Sequence, residues 1–309
     1  MVGADWVAAT VRARALARRR AGTGTSAAIA RAATLQDGLQ LLEGTAYEQL
    51  ITGATDLTAA ERATRETVLW QVRVMAGWLP ASSSRLCRSV AAAFERDNLL
   101  ALAGQLADGH AAPEAFDLGT LDTAWSRLRS AGSTAELHAE LSRSPWGAVG
   151  PEDSPALQDV LTMVWLRRLA DTAAPARPWA LAGGALIAAR TVLVDRARPS
   201  PRLRQLLLPL IGAAWETATD VESMQGSLPR ALGPLFAGVT APTDLWRAEA
   251  RAMTTVEADG FRLLRSALPG PDVVLGSLAV LTIDAWRIRA ALAASALGSG
   301  HSEVLDAVA

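Results

Sequence analysis

The 309-residue sequence predicts an all-α fold, and three features carry that prediction. Alanine, leucine and arginine, all strong helix formers, dominate the composition, and runs of β-branched residues are few. Apolar residues recur at three- and four-residue steps along most of the chain. Gly-, Pro- and Ser-rich breaks separate stretches long enough to be helices, and none of the stretches reads as a strand.

From the N-terminus, Asp5 is expected to cap a first helix running through Arg20, with Val7, Val11 and Ala15 along one side. The Gly22–Ser26 stretch, GTGTS, then punctuates the chain. Helical segments follow over about Ser26–Ala33 and Leu35–Leu42, broken at Gly44 and Thr45, with Tyr47 just beyond. Thr58 and Glu61 have capping-box spacing and open a long helix, whose stripe of Val68, Val72, Met75 and Leu79 ends at Pro80. Trp70 and Trp78 flank that stripe as core or subdomain contacts, with a binding platform as the alternative. Further helices are expected over Gly119–Arg129, about Glu136–Ser142, Ala156–Ala170, Trp179–Asp195 and Trp246–Arg265. The breaks lie at Ser144–Pro155, at Gln225–Pro242 and at Pro269–Pro271. A last long helix reaches about Leu297, with a packing seam of Leu278, Leu281, Ala285, Ile288 and Leu292.

Glu95–Leu121 carries more information than any other stretch. Val90, Phe94, Asn98, Leu102 and Leu106 follow one another at i+4 steps, so Asn98 sits in an otherwise apolar row. A buried amide needs partners for both its oxygen and its NH2 group. An interhelical hydrogen bond that fixes register meets that need, and contact with a ligand is the alternative. Residues 180–210 echo the same order of apolar helix, charged end, Pro-containing break and leucine-rich resumption, which suggests a repeat of roughly 100 residues.

Composition excludes some functions. A net charge of −1 with 20% charged residues gives no global bias toward nucleic acid or acidic partners. All 30 basic residues are arginine, and Arg12, Arg14, Arg18, Arg19 and Arg20 cluster on the first helix. They read as a solvated face or as a contact for an anionic partner or lipid headgroup. No secretory signal is read at the N-terminus, and Cys87, the single cysteine, fits a reducing compartment. The uncharged runs Trp179–Ala189, Gln205–Trp215 and Val273–Ile283 have 11 residues each, short of the ~20 that span a bilayer.

The usual signatures of catalysis are missing. His110, His138 and His301 stand apart from one another and from Cys87, without metal-ligand spacing. No phosphate-binding glycine loop or nucleophile elbow occurs, and Gly183 and Gly184 read as close helix packing. Glu257 with Asp259, and Asp220 with Glu222, are two apart and so point to different helix faces. No cofactor, metal, small-molecule substrate or catalytic residue is expected.

Three segments resemble the funnel-shaped connector subunit of the prokaryotic V/A-type rotary ATPases, which belongs with the d-type subunit of the vacuolar proton pump. They are DWVAATVRARALARRR with LQDGLQLLEGTAYEQLITG; Glu95, Asn98, Leu99 and Gly109 followed by GTL at Gly119–Leu121 and by Trp125; and the final helix with Arg287 and Arg289. The chain departs from the family at Gly104, Gln105 and Leu106, where the family helix carries basic residues. The resemblance implies three similar helical subdomains in a pseudo-threefold funnel. These correspond to residues 1–112, packed with the C-terminal helix, then 113–205 and 206–309. It also implies a non-catalytic connector, on the cytoplasmic face of the plasma membrane, between the central stalk and the rotor ring of a proton- or sodium-translocating ATPase. On that reading Arg12, Arg14 and Arg18–Arg20 are partner contacts and Glu95 with Asn98 a structural polar lock. A cytosolic α-helical interaction module, or a helical enzyme with a cleft between subdomains, are the rival readings.

Overall fold

The computed structural model describes residues 4–79, 83–109, 111–150 and 154–307; Pro80 and His110 lie outside them. Among the described residues there is no strand, and the class is all-α. In chain order the helices are α1 (Ala4–Arg18), α2 (Gly22–Ala30), α3 (Leu35–Gln40), α4 (Glu48–Ile51), α5 (Leu57–Trp78), α6 (Ser84–Asp108), α7 (Trp125–Leu128), α8 (Thr134–Ser142), α9 (Ser154–Thr172), α10 (Arg177–Ala189), α11 (Pro201–Ile211), α12 (Val221–Ser227), α13 (Leu245–Leu264), α14 (Pro271–Ala296) and α15 (Glu303–Asp306).

Two compact units result, one of residues 1–87 with 253–309 and one of residues 88–252. The expected boundaries after 112 and 205 both fall inside the second unit.

In the first unit α14 is the axis, packed against α1, α2, α3 and α5, so the two ends of the chain share one core. The seam of Leu278, Leu281, Ala285, Ile288 and Leu292 is buried throughout. Where α13 crosses α14, a Cβ on Gly276 would stand 2.6 Å from the Gly260 carbonyl oxygen, so both glycines are needed for the approach. Val7, Val11 and Ala15 share one side of α1, as expected, and it is the outward one. Trp6, Ala9, Ala13, Leu16 and Ala17 face the core, whereas Val7, Val11 and Ala15 face outward. The reason is the short distance to α14: Ser277 donates its hydroxyl to the Ala13 carbonyl at 2.8 Å, and small residues permit that approach. Asp5 lies inside the first turn of α1 and not ahead of it. The long helix α5 begins at Leu57, because Asp56 accepts from the Ala59 amide at 2.8 Å and displaces the expected Thr58–Glu61 box. Trp70 and Trp78 are exposed on α5, so of their expected roles the core contact does not hold.

Gln71, on the inner side of α5, is 1% exposed, and neither of its amide atoms has a hydrogen-bond partner. A buried unpaired amide costs about 1–3 kcal/mol. Gln71→Met keeps the shape without the polar atoms, so it should raise the unfolding free energy by about 1–2 kcal/mol. Denaturant unfolding of the two proteins measures the difference, and a loss of stability would show that the amide is paired in solution.

In the second unit α9 packs on α10 and α11. Gly183 and Gly184 lie at that contact: a Cβ on Gly183 would stand 2.5 Å from a Leu166 methyl, and one on Gly184 3.1 Å from Leu207. The core gathers Trp146, Trp215, Leu137, Leu141, Leu161 and Leu207, all completely buried. The expected Trp179–Asp195 helix is α-helical only to Ala189; Arg190–Val194 forms a π-helical turn. The expected Gly119–Arg129 helix is a 3-10 turn at Gly119–Leu121 followed by the short α7.

Candidate functional site

The most heavily hydrogen-bonded buried carboxylate of the second unit belongs to Glu95, completely buried in the middle of α6. Every helix leaves its first backbone N–H groups without helical partners. Just before α7 those of Thr123 and Ala124 donate to Glu95, at 2.7 Å to Oε2 and 3.0 Å to Oε1. Asp122 takes the next two, from Trp125 at 2.7 Å and Ser126 at 2.9 Å. This division explains why the expected longer helix is broken here: the chain turns to present its amides to α6. A third donor reaches Glu95 from the indole Nε1 of Trp146, 2.7 Å from Oε1. Burial pushes the Glu95 carboxyl above its ordinary value, while the Trp146 and Thr123 hydrogen bonds pull it back down. The Arg168 guanidinium, 5.3 Å from the Trp146 ring centroid, adds a positive charge nearby.

One turn along α6, Asn98 clamps the backbone of Phe116. Its Nδ2 donates to the Phe116 carbonyl at 2.9 Å, and its Oδ1 accepts the Phe116 N–H at 2.7 Å. The partner is thus the irregular segment after α6 and not a second helix. Phe94 and Phe116 meet edge to face at 5.3 Å, closing the apolar side of the clamp. A cavity of about 250 Å³ lies beside Asn98, bordered by Gln105, Pro113, Trp125 and Arg129.

The first unit repeats the arrangement with Asp284, on α14 and 1% exposed. Its Oδ2 accepts the Ala21 N–H at 2.9 Å and the Tyr47 hydroxyl at 2.8 Å, and its Oδ1 accepts the Gly22 N–H at 2.7 Å. Burial, followed by the Asp284 charge, raises the Tyr47 phenol well above its ordinary value, which keeps it a donor. Both carboxylates therefore stand on a long helix, hold two successive amides at the start of a shorter one, and take a third hydrogen bond from a buried aromatic. The aromatics are also presented alike. Tyr47 N–H donates to Thr45 Oγ1, whose hydroxyl donates to the Leu42 carbonyl; Trp146 N–H donates to Ser144 Oγ, whose hydroxyl donates to the Leu141 carbonyl. The sequence signal is Leu-x-x-Thr-x-Tyr against Leu-x-x-Ser-x-Trp, and comparison of the two would have located the pair. Sequence reasoning missed Asp284 altogether. Trp215, another fully buried tryptophan, donates its Nε1 to the Gly212 carbonyl instead.

The basic cluster is divided by the fold: α1 ends at Arg18, short of the expected Arg20, and Arg19 and Arg20 lie in the turn after it. Arg14 donates to the Leu264 and Ser266 carbonyls at 3.1 and 2.7 Å, satisfying the C-terminal end of α13. Arg20 stacks over Phe261 at 4.9 Å and donates to the Ala17 carbonyl. Arg12 lies over the Trp78 ring at 6.0 Å. Arg18 and Arg19 face outward.

Elsewhere, Arg287 forms a two-point contact with Glu257, and Arg190 pairs with Asp159. A cavity of about 110 Å³ borders Arg31, Arg287 and His301. Among the described residues no group of three His, Cys, Asp or Glu side chains could hold a metal ion. Cys87 is fully buried, and burial pushes its thiol up to about 12. At pH 8 it should resist Ellman's reagent in the native protein and react at once in denaturant. Rapid native labelling would show that the first unit opens readily.

Each of the two carboxylates accepts three hydrogen bonds from donors of the chain itself, two of them backbone amides, so the arrangement anchors backbone. No protein-family model matches the chain, and no curated protein matches it.

Proposed function

We propose that the chain is a non-catalytic helical connector of the kind found in V/A-type rotary ATPases, joining the central stalk to the membrane rotor ring. The observation that carries this reading is the recurrence of one carboxylate anchor in both units, on Glu95 and Asp284. The resemblance in sequence at the N-terminus and at Glu95–Trp125 implies similar helical subdomains, and a repeated anchor is what such a repeat would retain. A part that transmits torque needs a stiff, close-packed body, and anchors that tie loop backbone to long core helices supply stiffness. No helix of the described residues is long and apolar enough to cross a membrane, so attachment to a ring would be through contacts at its surface.

On this reading no bond is made or broken in the chain, Glu95 and Asn98 serve as a structural lock, and the outward arginines of α1 are available to partners. The test is co-purification. A tagged chain isolated from its own cells in mild detergent should bring down proteins of the central stalk and of the ring in fixed proportion. Recovery of the chain without any of them would overturn the proposal.

A further inference from the structure

The outward side of α1 is in part apolar. Val7 and Val11 are 48% and 63% exposed, and Ala8, Ala15, Arg18 and Arg19 face outward with them. Arg12 and Arg14 are two residues apart and so leave α1 on opposite sides. Arg12 reaches Trp78, which places the end of α5 on one flank. Arg14 reaches Leu264 and Ser266, and Gly270 N–H donates to Thr10 Oγ1, which places the α13–α14 loop on the other. That loop carries Leu268, 77% exposed, and α5 carries Trp70 and Trp78, 43% and 50% exposed. The result is an apolar tract of Val7, Val11, Leu268 and Trp78 with arginines along it, and Trp70 is exposed about two turns earlier on α5. No carboxylate occurs from Trp6 to Arg20 or from Thr67 to Leu79, although the whole chain has a net charge of −1.

We propose that this face docks on an anionic phospholipid surface. Tryptophan and arginine beside exposed aliphatics match the layered polarity of a headgroup boundary, where rings and aliphatics enter and guanidinium groups meet phosphate. A second copy of the chain fits poorly, because a self-complementary contact would set arginine against arginine. A partner helix needs a groove, and neither cavity described above includes a residue of this face. The proposal shares Arg18 and Arg19 with the connector reading but does not depend on it. Vesicle binding without capture of ATPase proteins would keep the former and remove the latter, and the reverse pattern would do the opposite.

The purified full chain is sedimented with vesicles of phosphatidylcholine alone and of phosphatidylcholine mixed with phosphatidylglycerol. Binding should be about tenfold or more tighter to the anionic vesicles and should weaken with salt. Lipids brominated in their acyl chains should quench part of the tryptophan fluorescence. Arg18→Glu with Arg19→Glu should weaken binding about tenfold or more, and Trp70→Ser with Trp78→Ser should abolish the quenching. The four residues are exposed, so circular dichroism should be unchanged. The control pair Arg143→Glu with Arg230→Glu, exposed in the second unit, should leave binding as it was. Equal affinity for both vesicles, binding without quenching, or an equal loss in the control pair would overturn the proposal. So would a dimer in solution that the Trp70→Ser, Trp78→Ser variant dissolves, which would assign the face to a second copy.

Discussion

Glu95→Ala is expected to lower the unfolding free energy of the second unit by about 3–5 kcal/mol. Three donors lose their acceptor at once: the Thr123 and Ala124 amides and the Trp146 indole. Each buried unpaired donor costs about 1–3 kcal/mol, and the three losses do not simply add, because all belong to one site. Glu95→Gln keeps one carbonyl acceptor and should cost roughly half as much, with its NH2 group facing donors. Denaturant unfolding followed by tryptophan fluorescence reports the effect, since Trp146 is itself a member of the site. A cost for Glu95→Ala below about 1 kcal/mol would mean that water replaces the carboxylate readily and that the anchor contributes little.

Asp284→Ala should have an effect of the same size in the first unit. It frees the part-buried Ala21 and Gly22 amides and the buried Tyr47 hydroxyl. The consequence for local structure is sharper here, because α2 has no side-chain cap of its own at Ala21. Gly22 also holds a φ of 81°, a left-handed conformation maintained by that contact. The helix start should therefore fray, and proteolytic cleavage near Gly22–Gly24 should accelerate. Tyr47→Phe removes a single donor and should cost only about 1 kcal/mol. If Asp284→Ala and Tyr47→Phe proved equal, the backbone amides would not be the main partners of Asp284.

How much of this was legible in the sequence depends on how local the cause is. The α14 seam was, because five apolar residues at helical spacing have one outcome in a packed helix. So were the end of α6 before Gly109, where a φ of 71° demands glycine, and the burial of Asn98 in its apolar row. Positions governed by distant residues were not. GTGTS reads as a break, yet Gly22–Ala30 is helical, because its first amides are satisfied by a carboxylate 262 residues away. The short α7 in place of a longer helix has the same origin in Glu95. On α1 the spacing puts Val7, Val11 and Ala15 on one side without fixing which way that side faces. Close approach to α14 selects alanine for the packed side, and leaves Val7 and Val11 outside. The arginine cluster shows a third kind of limit: spacing gives five like charges, but only the fold reveals that Arg14 and Arg20 are engaged within the unit.

Whether Glu95 and Asp284 act as anchors is read most directly by amide hydrogen exchange resolved to single residues. In the native protein the amides of Ala21, Gly22, Thr123 and Ala124 should exchange slowly, although they stand at or just before the first residue of their helices and have no helical partner. Glu95→Gln should speed exchange at Thr123 and Ala124 while leaving Ala21 and Gly22 unchanged, and Asp284→Asn should do the converse. Fast exchange at all four amides in the native protein would contradict the assignment of the two carboxylates as anchors, and with it the observation that supports the connector.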